Sequence, residues 1–321
     1  MKANALLTRK LLPEAMEYLK EHIQYEVAGK DRYPTKKEII SGIKDKQGIV
    51  SLLVDQIDKD VIDAGPHLKV IANCAVGYNN IDVKHATSKG ITVTNTPGVL
   101  TDTTADLTWA LLLSVARKIP QADRFTRQKK YKNWELDLFL GKDLEAKQLG
   151  IIGMGRIGKA VALRARPFKL KTVYSDPKRL TPEEEKKYRA RYLPLENLLK
   201  TSDIITIHTA LTKETYHLIS RKNIHLLKKL AFLVNVSRGP VVEEKALAEA
   251  LERGDLWGAG LDVYENEPEI EERLLSLDNV VLLPHIGSAS YETRAQMSMM
   301  AAKNLVYVLS GKKPLNPINK I

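Results

Sequence analysis

The feature that most constrains the fold of this chain is a glycine-rich turn that directly follows a short apolar run. Residues 149–152 have the length and composition of a buried strand, and the turn reads Gly153-Met154-Gly155-Arg156-Ile157-Gly158. Apolar, helix-compatible sequence comes next. A strand, a glycine turn and a helix start together predict a dinucleotide-binding element, because the backbone and the N–H groups of the helix start can approach a pyrophosphate there.

Short apolar strands alternate with amphipathic helices along the rest of the chain, which predicts parallel sheets covered by crossover helices. Before residue 100 we predict four helices, at 13–21, 36–43, 59–64 and 83–89, among strands at 3–7, 48–52, 68–72 and 91–94. A long helix follows, with its apolar face at 105–117. Further on we predict six strands, at 148–152, 172–175, 203–207, 231–236, 258–262 and 280–283.

A chain of 321 residues suits two domains rather than one core. We expect an α/β protein with two doubly wound parallel-sheet domains. Residues 100–287 would form a Rossmann domain that binds NAD and includes a dimerisation helix. A last helix at 290–310 would return to the first unit. Residues 1–99 and 288–321 would then form a smaller, discontinuous, flavodoxin-like domain that binds the substrate.

Asp176 indicates which dinucleotide the turn would bind. It ends the next apolar strand, 18 positions after Gly158. A carboxylate there can accept hydrogen bonds from both ribose hydroxyls of NAD and would repel the 2′-phosphate of NADP. The alternative interpretation is a turn aspartate before Pro177. Lys178 and Arg179 leave NADP(H) possible, so we expect NAD(H) to be preferred.

Three polar residues downstream, Arg238, Glu267 and His285, each lie beside a turn signal. Reduction of a 2-keto acid needs a hydride at the carbonyl carbon and a proton at its oxygen. Imidazole changes charge near neutral pH, a carboxylate on its other nitrogen would fix the ring, and a guanidinium can bind the substrate carboxylate. Each residue alone could instead be an ordinary loop or surface residue, and His208, which ends a predicted strand, is better placed to line the cofactor.

Composition excludes several other classes. The net charge of +11 could suggest nucleic-acid binding, but 50 basic residues are mixed with 39 acidic ones, so a charged, solvated surface explains it. No apolar stretch reaches the roughly 20 residues of a membrane span. The lone Cys74 allows no internal disulfide and indicates a reducing cytoplasm, and its apolar neighbours predict burial. No metal-ligand spacing or Gly-x-Ser-x-Gly motif occurs, so we expect neither a metal site nor a serine nucleophile.

Nearly the whole chain resembles the D-isomer-specific 2-hydroxyacid dehydrogenases, and within them the glyoxylate/hydroxypyruvate reductase branch. Besides the glycine turn, five blocks in the right order carry the resemblance: Val76-Gly77-Tyr78-Asn79-Asn80-Ile81-Asp82, Asn95-Thr96-Pro97-Gly98-Val99-Leu100-Thr101, Asn235-Val236-Ser237-Arg238-Gly239, Gly260-Leu261-Asp262-Val263-Tyr264-Glu265-Asn266-Glu267-Pro268 and Pro284-His285-Ile286-Gly287-Ser288. Ala210 departs from the pattern, since relatives usually have proline there.

The resemblance implies a role for each site residue. Arg238, Glu267 and His285 would be the catalytic trio, with His285 as the proton donor. Substrate contacts would come from Leu53, Val76 and Gly77 together with Arg238 and His285, and Asp262 would orient the nicotinamide amide. The cofactor-binding residues would be Thr104, Gly153, Gly155, Arg156, Ile157, Gly158, Asp176, His208, Thr209, Val236, Ser237, Asp262 and Gly287.

We therefore expect a reductase of a small 2-keto acid, glyoxylate or hydroxypyruvate, that works as a homodimer without nucleic-acid or membrane partners. The resemblance suggests that the segment around Trp134 crosses to the second subunit. Two alternatives stay open. One is D-3-phosphoglycerate dehydrogenase, although Ser51 and Asn73 stand where such enzymes carry arginines for the substrate phosphate. The other is an NAD(H)-sensing protein that resembles the transcriptional corepressors of this fold.

Overall fold

A computed structural model describes residues 2–29 and 32–321. The chain divides into two compact units, residues 1–100 with 288–321 (unit 1) and residues 101–287 (unit 2). Within the described ranges, no helix is long and apolar enough to cross a membrane.

Unit 1 is built on a five-stranded parallel sheet in the order β2-β1-β3-β4-β5. This is the flavodoxin-like order of a doubly wound fold. Its strands are β1 (Asn4–Leu7), β2 (Gln24–Val27), β3 (Gly48–Ser51), β4 (Val70–Asn73) and β5 (Thr92–Thr94). Its helices are α1 (Pro13–His22), α2 (Lys36–Ile43), α3 (Lys59–Asp63), α4 (Val83–Ser88) and, from the C-terminal part of the chain, α12 (Tyr291–Leu309).

The two faces of this sheet bury separate apolar clusters. Helices α1 and α12 cover one face, where Ala301 and Leu305 pack with Val70 and Ala72. Residues of α2, α3 and α4 cover the other, around Ile49 and Ile71. Because both faces are covered, the central strands β3 and β4 are buried at every position, including the polar Ser51 and Asn73 at their ends.

Unit 2 contains a seven-stranded parallel sheet in the order β12-β11-β10-β9-β6-β7-β8. Its strands are β6 (Gln148–Ile152), β7 (Lys171–Ser175), β8 (Ala190–Tyr192), β9 (Ile204–Ile207), β10 (Phe232–Asn235), β11 (Gly258–Leu261) and β12 (Val280–Leu282). Its helices are α5 (Thr101–Arg117), α6 (Ile119–Arg127), α7 (Arg156–Arg164), α8 (Pro182–Tyr188), α9 (Leu195–Thr201), α10 (Glu244–Glu252) and α11 (Glu272–Ser276), and two 3-10 turns lie at Ile224–Leu226 and Gly239–Val241.

The strand order of unit 2 reverses at β6, which has β7 on one side and β9 on the other. Such a reversal opens a crevice at the carboxyl ends of the two strands, and this is where open α/β sheets bind ligands. The predicted doubly wound α/β fold is confirmed, but the prediction of six strands in this half was wrong. The seventh, β8, is a three-residue edge strand with the sequence Ala-Arg-Tyr, too short and too polar to be recognised.

Candidate active site

The glycine turn lies in the crevice where the strand order of unit 2 reverses, between β6 and α7. Gly153 has φ 93°, in the left-handed region that favours glycine. A Cβ there would lie 2.8 Å from the carbonyl carbon of His208, which follows β9. Only glycine therefore lets the turn and the loop after β9 approach this closely.

The start of α7 is open to a ligand. Gly155 is its N-cap and offers no side-chain cap, and a Cβ built on Gly155 would meet no protein atom within 4 Å. Arg156, Ile157 and Gly158 then supply the N–H groups of the first turn, which have no partner further up the helix. Uncapped N–H groups at a helix start facing empty space suit a pyrophosphate.

Asp176, directly after β7, lies beside this turn. Its Oδ2 accepts a hydrogen bond from the Met154 N–H at 2.7 Å, and its Oδ1 accepts one from the Lys178 N–H at 2.8 Å. Each carboxylate oxygen can accept a second bond, so the group can still bind a ribose. Of the two nearby cations, Arg179 stacks on the ring of Tyr192, with 3.9 Å between its guanidinium carbon and the ring centroid.

His208 and Thr209 complete this side of the crevice. Both ring nitrogens of His208 and the Thr209 hydroxyl are covered from solvent and have no hydrogen-bond partner in the described part of the chain. Burial lowers the pKa of His208 to about 3, so the ring is neutral near pH 7. Covered polar groups of this kind favour a polar ligand beside them, because leaving them unpaired costs free energy. The residues present therefore fit a dinucleotide.

Asn235, at the end of β10, shapes the turn that carries Val236, Ser237 and Arg238. Its Oδ1 accepts bonds from the Ser237 N–H at 3.0 Å and the Ser237 hydroxyl at 2.8 Å, while its Nδ2 donates to the Arg238 carbonyl at 3.0 Å. Val236 and Ser237 are buried. A β-strand thus ends in a fixed polar turn rather than in a mobile loop.

Arg238 is a cation in a partly buried place. Its Nη1 donates to the Ser237 carbonyl at 2.7 Å. Burial lowers the pKa of the guanidinium, and the charge of Glu267 opposes that shift. Because the ordinary pKa of arginine is far above neutrality, the group stays charged. It can bind an anion such as a carboxylate.

Glu267 and His285 form a pair. Nδ1 of His285 lies 2.8 Å from Oε2 of Glu267, and the other carboxylate oxygen accepts a bond from the Tyr264 N–H at 3.0 Å. Burial raises the pKa of Glu267, but the bond and charge of His285, the Tyr264 N–H and Arg238 outweigh it and lower the pKa overall. An ionised carboxylate on Nδ1 leaves Nε2 as the nitrogen that can exchange a proton with a ligand.

Asp262 fixes the turn that presents His285. Its two carboxylate oxygens accept hydrogen bonds from the N–H groups of Ile286 and Gly287, each at 2.7 Å. His285 itself has φ 54°, a left-handed conformation that costs free energy in a non-glycine residue. A Cβ on Gly287 would lie 3.1 Å from Asp262 and 3.7 Å from the hydroxyl of Thr104. Asp262 therefore holds the backbone of the turn after His285. The expected contact with a nicotinamide did not predict this structural role.

The three substrate residues expected before residue 100 all belong to unit 1. Leu53 is half-buried in the loop after β3, and Val76 and Gly77 lie in the loop after β4. Two side-chain amides hold that second loop: the buried Asn73 donates to the Gly77 carbonyl and the half-buried Asn95 to the Val76 carbonyl, both at 2.8 Å. Their contact with a substrate stays a prediction, as do the catalytic and cofactor roles of the residues above.

Several supporting residues were missed in the sequence. Gly239 allows the arginine turn to touch the next loop, since a Cβ there would overlap the backbone of Tyr264. His217 lies 2.7 Å from Glu265, and His85 lies 2.8 Å from Asp63. In the sequence, the glycine directly after Arg238 was the only sign of these contacts, because the residues that contact each other lie far apart along the chain.

A metal site and a reactive cysteine have less support in the structure. Within residues 2–29 and 32–321, no group of three or more His, Cys, Asp or Glu could hold a metal ion. Cys74 is half-buried as a residue, and burial of its thiol raises the pKa of that group to about 12, so the expected burial holds for the sulfur.

Comparison with known proteins agrees with this geometry. Residues 109–287 match the family model "D-isomer specific 2-hydroxyacid dehydrogenase, NAD binding domain". The chain is 47% identical to a glyoxylate reductase of Korarchaeum cryptofilum over 100% of its own length and 97% of the relative's.

Two solved structures are similar over the full length. The TT0316 protein of Thermus thermophilus is 42% identical with a TM-score of 0.92, covering 98% of this chain and 100% of that one. An NADPH-dependent glyoxylate/hydroxypyruvate reductase of Sinorhizobium meliloti, solved with NADP and malonate, is 33% identical with a TM-score of 0.88, covering 99% and 97%.

Proposed function

Because the chain belongs to the D-isomer-specific 2-hydroxyacid dehydrogenase family, we propose that it reduces glyoxylate or hydroxypyruvate to the corresponding 2-hydroxy acid with NADH. The observation that carries the proposal is the His285–Glu267 pair at 2.8 Å, in the same unit as a glycine turn that fits a dinucleotide. Oxidation of NADH, followed by its absorbance with each keto acid, tests it.

The residues divide the reaction between them. The bound dinucleotide supplies a hydride to the carbonyl carbon of the keto acid. His285, held through Nδ1, gives a proton from Nε2 to the carbonyl oxygen, so that a hydroxyl forms. Glu267 stabilises the imidazolium before that transfer, because the carboxylate is ionised and 2.8 Å away. Arg238 binds the substrate carboxylate and polarises the ketone.

The cofactor site belongs to a domain whose family binds NAD. Asp176 supports a preference for NADH over NADPH. NADPH stays possible, because Lys178 is exposed beside Asp176. Removing the charge with Asp176→Asn should narrow the ratio of kcat/KM between the two cofactors, since the amide no longer repels a 2′-phosphate. Equal values for both cofactors in the wild type would show that Asp176 does not control the choice.

Substrate size separates this function from phosphoglycerate dehydrogenase. Ser51 and Asn73 are fully buried, and the Ser51 hydroxyl donates to Asn73 Oδ1 at 3.2 Å. Two neutral groups bonded to each other cannot pair with a phosphate, whose desolvation then goes uncompensated. We expect kcat/KM for glyoxylate and hydroxypyruvate at least about tenfold above that for 3-phosphohydroxypyruvate. A higher value for the phosphorylated substrate would favour the alternative, and no turnover of any keto acid would favour an NAD(H)-sensing protein.

A homodimer is the proposed assembly. Helix α5 buries one side against its own unit, while Leu107 and Leu113 on other sides are only partly covered. Trp134, Leu136 and Leu140, between α6 and β6, are largely exposed. Exposed apolar side chains of this size suit an interface with a second copy of the chain. The cytoplasm is the proposed compartment, supported by the single cysteine.

A further inference from the structure

A buried carboxylate lies beneath the loop that carries Glu267. Glu244 is the first residue of α10 and is only 6% exposed. It comes 23 positions before Glu267 in the sequence, and it belongs to neither the expected catalytic nor the expected cofactor residues. Its position and its bonds point to a function in the proton transfer.

Glu244 holds both ends of the loop. One carboxylate oxygen accepts a hydrogen bond from the Glu265 N–H, and the other accepts one from the Glu271 N–H at 3.1 Å. Glu267 lies between these two attachment points. A single side chain thus binds the loop at Glu265, four residues after β11, and at Glu271, directly before α11. This limits the positions that the Glu267 carboxylate can take.

A second set of bonds returns from the loop to the helix. The Glu244 N–H donates to Oε2 of Glu265 at 3.1 Å, and Oε1 of Glu265 lies 2.7 Å from Nε2 of His217. Glu244 and Glu265 therefore exchange backbone and side-chain bonds in both directions. The positive end of the α10 dipole favours two carboxylates at this place.

Keeping a carboxylate at this position is costly. Burial raises the pKa of Glu244, and the charges of Glu265 and Glu271 raise it further, while the N–H bonds of those same residues lower it. The two-donor arrangement explains the choice of residue. A carboxylate has an acceptor oxygen for each N–H, whereas glutamine has one oxygen and would set its NH₂ against the second donor.

We propose that Glu244 is a positioning residue for the proton donor: by fixing Glu265 and Glu271, it holds Glu267 in the place from which Glu267 orients His285. The inference rests on the proposed reductase function. It assigns to Glu244 no contact with substrate or cofactor.

The experiment compares Glu244→Gln and Glu265→Ala with the wild type and with Glu252→Gln. Glu252→Gln is the same chemical change as Glu244→Gln, on the same helix and at an exposed position. We expect both loop variants to lower kcat for glyoxylate by about tenfold or more, because small displacements of catalytic groups are expensive. KM for NADH should change by less than about twofold, since the cradle is elsewhere. The control should match the wild type.

Two further readouts separate positioning from simple loss of stability. The alkaline limb of the kcat profile should move to lower pH, because a displaced Glu267 stabilises the protonated donor less. Hydrogen exchange of the 264–271 amides in the intact protein should accelerate. A lower melting midpoint with unchanged kcat and unchanged alkaline limb would overturn the proposal.

The remaining outcomes are also informative. If Glu244→Gln does not fold, Glu244→Asp, whose shorter carboxylate cannot reach both N–H groups, decides by the same three readouts, and wild-type values there refute the proposal. If the wild type does not reduce glyoxylate, the proposed function fails separately, and unchanged 264–271 exchange in a folded Glu244→Gln protein would still refute the attachment of the loop.

Discussion

At the scale of a single residue, three separate features fix the position of His285. Glu267 binds its Nδ1, Asp262 binds the two N–H groups that follow it, and its own backbone is left-handed. A conformation that costs free energy persists only where the surroundings impose it, and such places are typical of catalytic residues. The ring that we propose as the proton donor is thus oriented by the protein itself.

The first prediction is that His285→Ala lowers kcat for glyoxylate by on the order of 100-fold or more, which is what general acid catalysis contributes. The Kd for NADH should stay close to the wild-type value. His225→Ala, which changes an exposed histidine of the same unit, is the control in a steady-state assay with fluorescence titration of NADH. Turnover near the wild-type rate in His285→Ala would remove the assignment.

His208 makes the ligand-free protein sensitive to acid. Its pKa is lowered to about 3 in the folded state, because burial disfavours the imidazolium. The unfolded chain, with a pKa near 6.5, takes up a proton that the folded chain does not, so stability is lost as the pH falls from about 6.5 toward 3. Between pH 7 and pH 5 this amounts to about 1–2 kcal/mol.

We therefore expect His208→Gln to lose less stability than the wild type when the pH is lowered from 7 to 5. Urea unfolding without cofactor, at both pH values, measures the difference. His225→Gln, the same chemical change at an exposed position of the same unit, serves as the control. An identical loss of stability in wild type and His208→Gln would show that the buried ring is not responsible.

Residue roles were predictable only where a residue type has one obvious task. The pairing of a histidine with Glu267 follows from the chemistry of proton donation. The attachment of Asp262 to the turn and of Glu244 to the loop does not, because both depend on backbone N–H groups whose direction is set by the fold. No pattern of side chains in the sequence reports those directions.

At the scale of elements, the glycine turn between β6 and α7 contains two glycines that are needed for different reasons. Gly153 is constrained by the protein itself, through its positive φ and the nearby loop after β9. Gly155 faces no protein atom within 4 Å. Alanine in place of Gly153 should thus destabilise the fold, whereas alanine in place of Gly155 should weaken only ligand binding.

We expect Gly155→Ala to keep the thermal midpoint of the wild type and to raise the Kd for NADH by about tenfold or more, because the added methyl occupies the space of the pyrophosphate. Gly153→Ala, in contrast, should lower the midpoint of the ligand-free protein. Calorimetry with and without NADH distinguishes the two variants. A wild-type Kd for Gly155→Ala would mean that the cofactor does not approach this turn.

Strands could be predicted from the sequence where every residue of the strand is buried. Strands β3, β4, β9 and β10 are buried at every position and appear in the sequence as short apolar runs with a single polar residue each. Strand β2 was missed because Gln24–Val27, at an edge of the sheet, is polar and buried at no position. Helix α6 was missed because it buries no residue of its own and begins at Ile119-Pro120, beside the predicted end of the preceding helix.

At the scale of the whole molecule, the main prediction concerns the oligomeric state. We predict that static light scattering at micromolar concentration gives a particle of twice the 36.0 kDa chain mass. Leu136→Asp should shift the protein toward monomer, because a charge would have to be desolvated in the interface. Leu275→Asp, an equally drastic change at another exposed leucine, should leave the mass unchanged. A wild-type mass of 36.0 kDa would contradict the dimer.

The order of segments along the chain has a consequence for protein synthesis. The β3–β4 face of unit 1 is covered by α12, whose Ala301 and Leu305 are made after the whole of residues 101–287. At usual translation rates that interval lasts on the order of 10 s. During it, the nascent first hundred residues present Val70 and Ala72 without their cover. A ribosome-bound chain of this protein is therefore a natural client for chaperones that recognise apolar surface, until its final helix emerges from the exit tunnel.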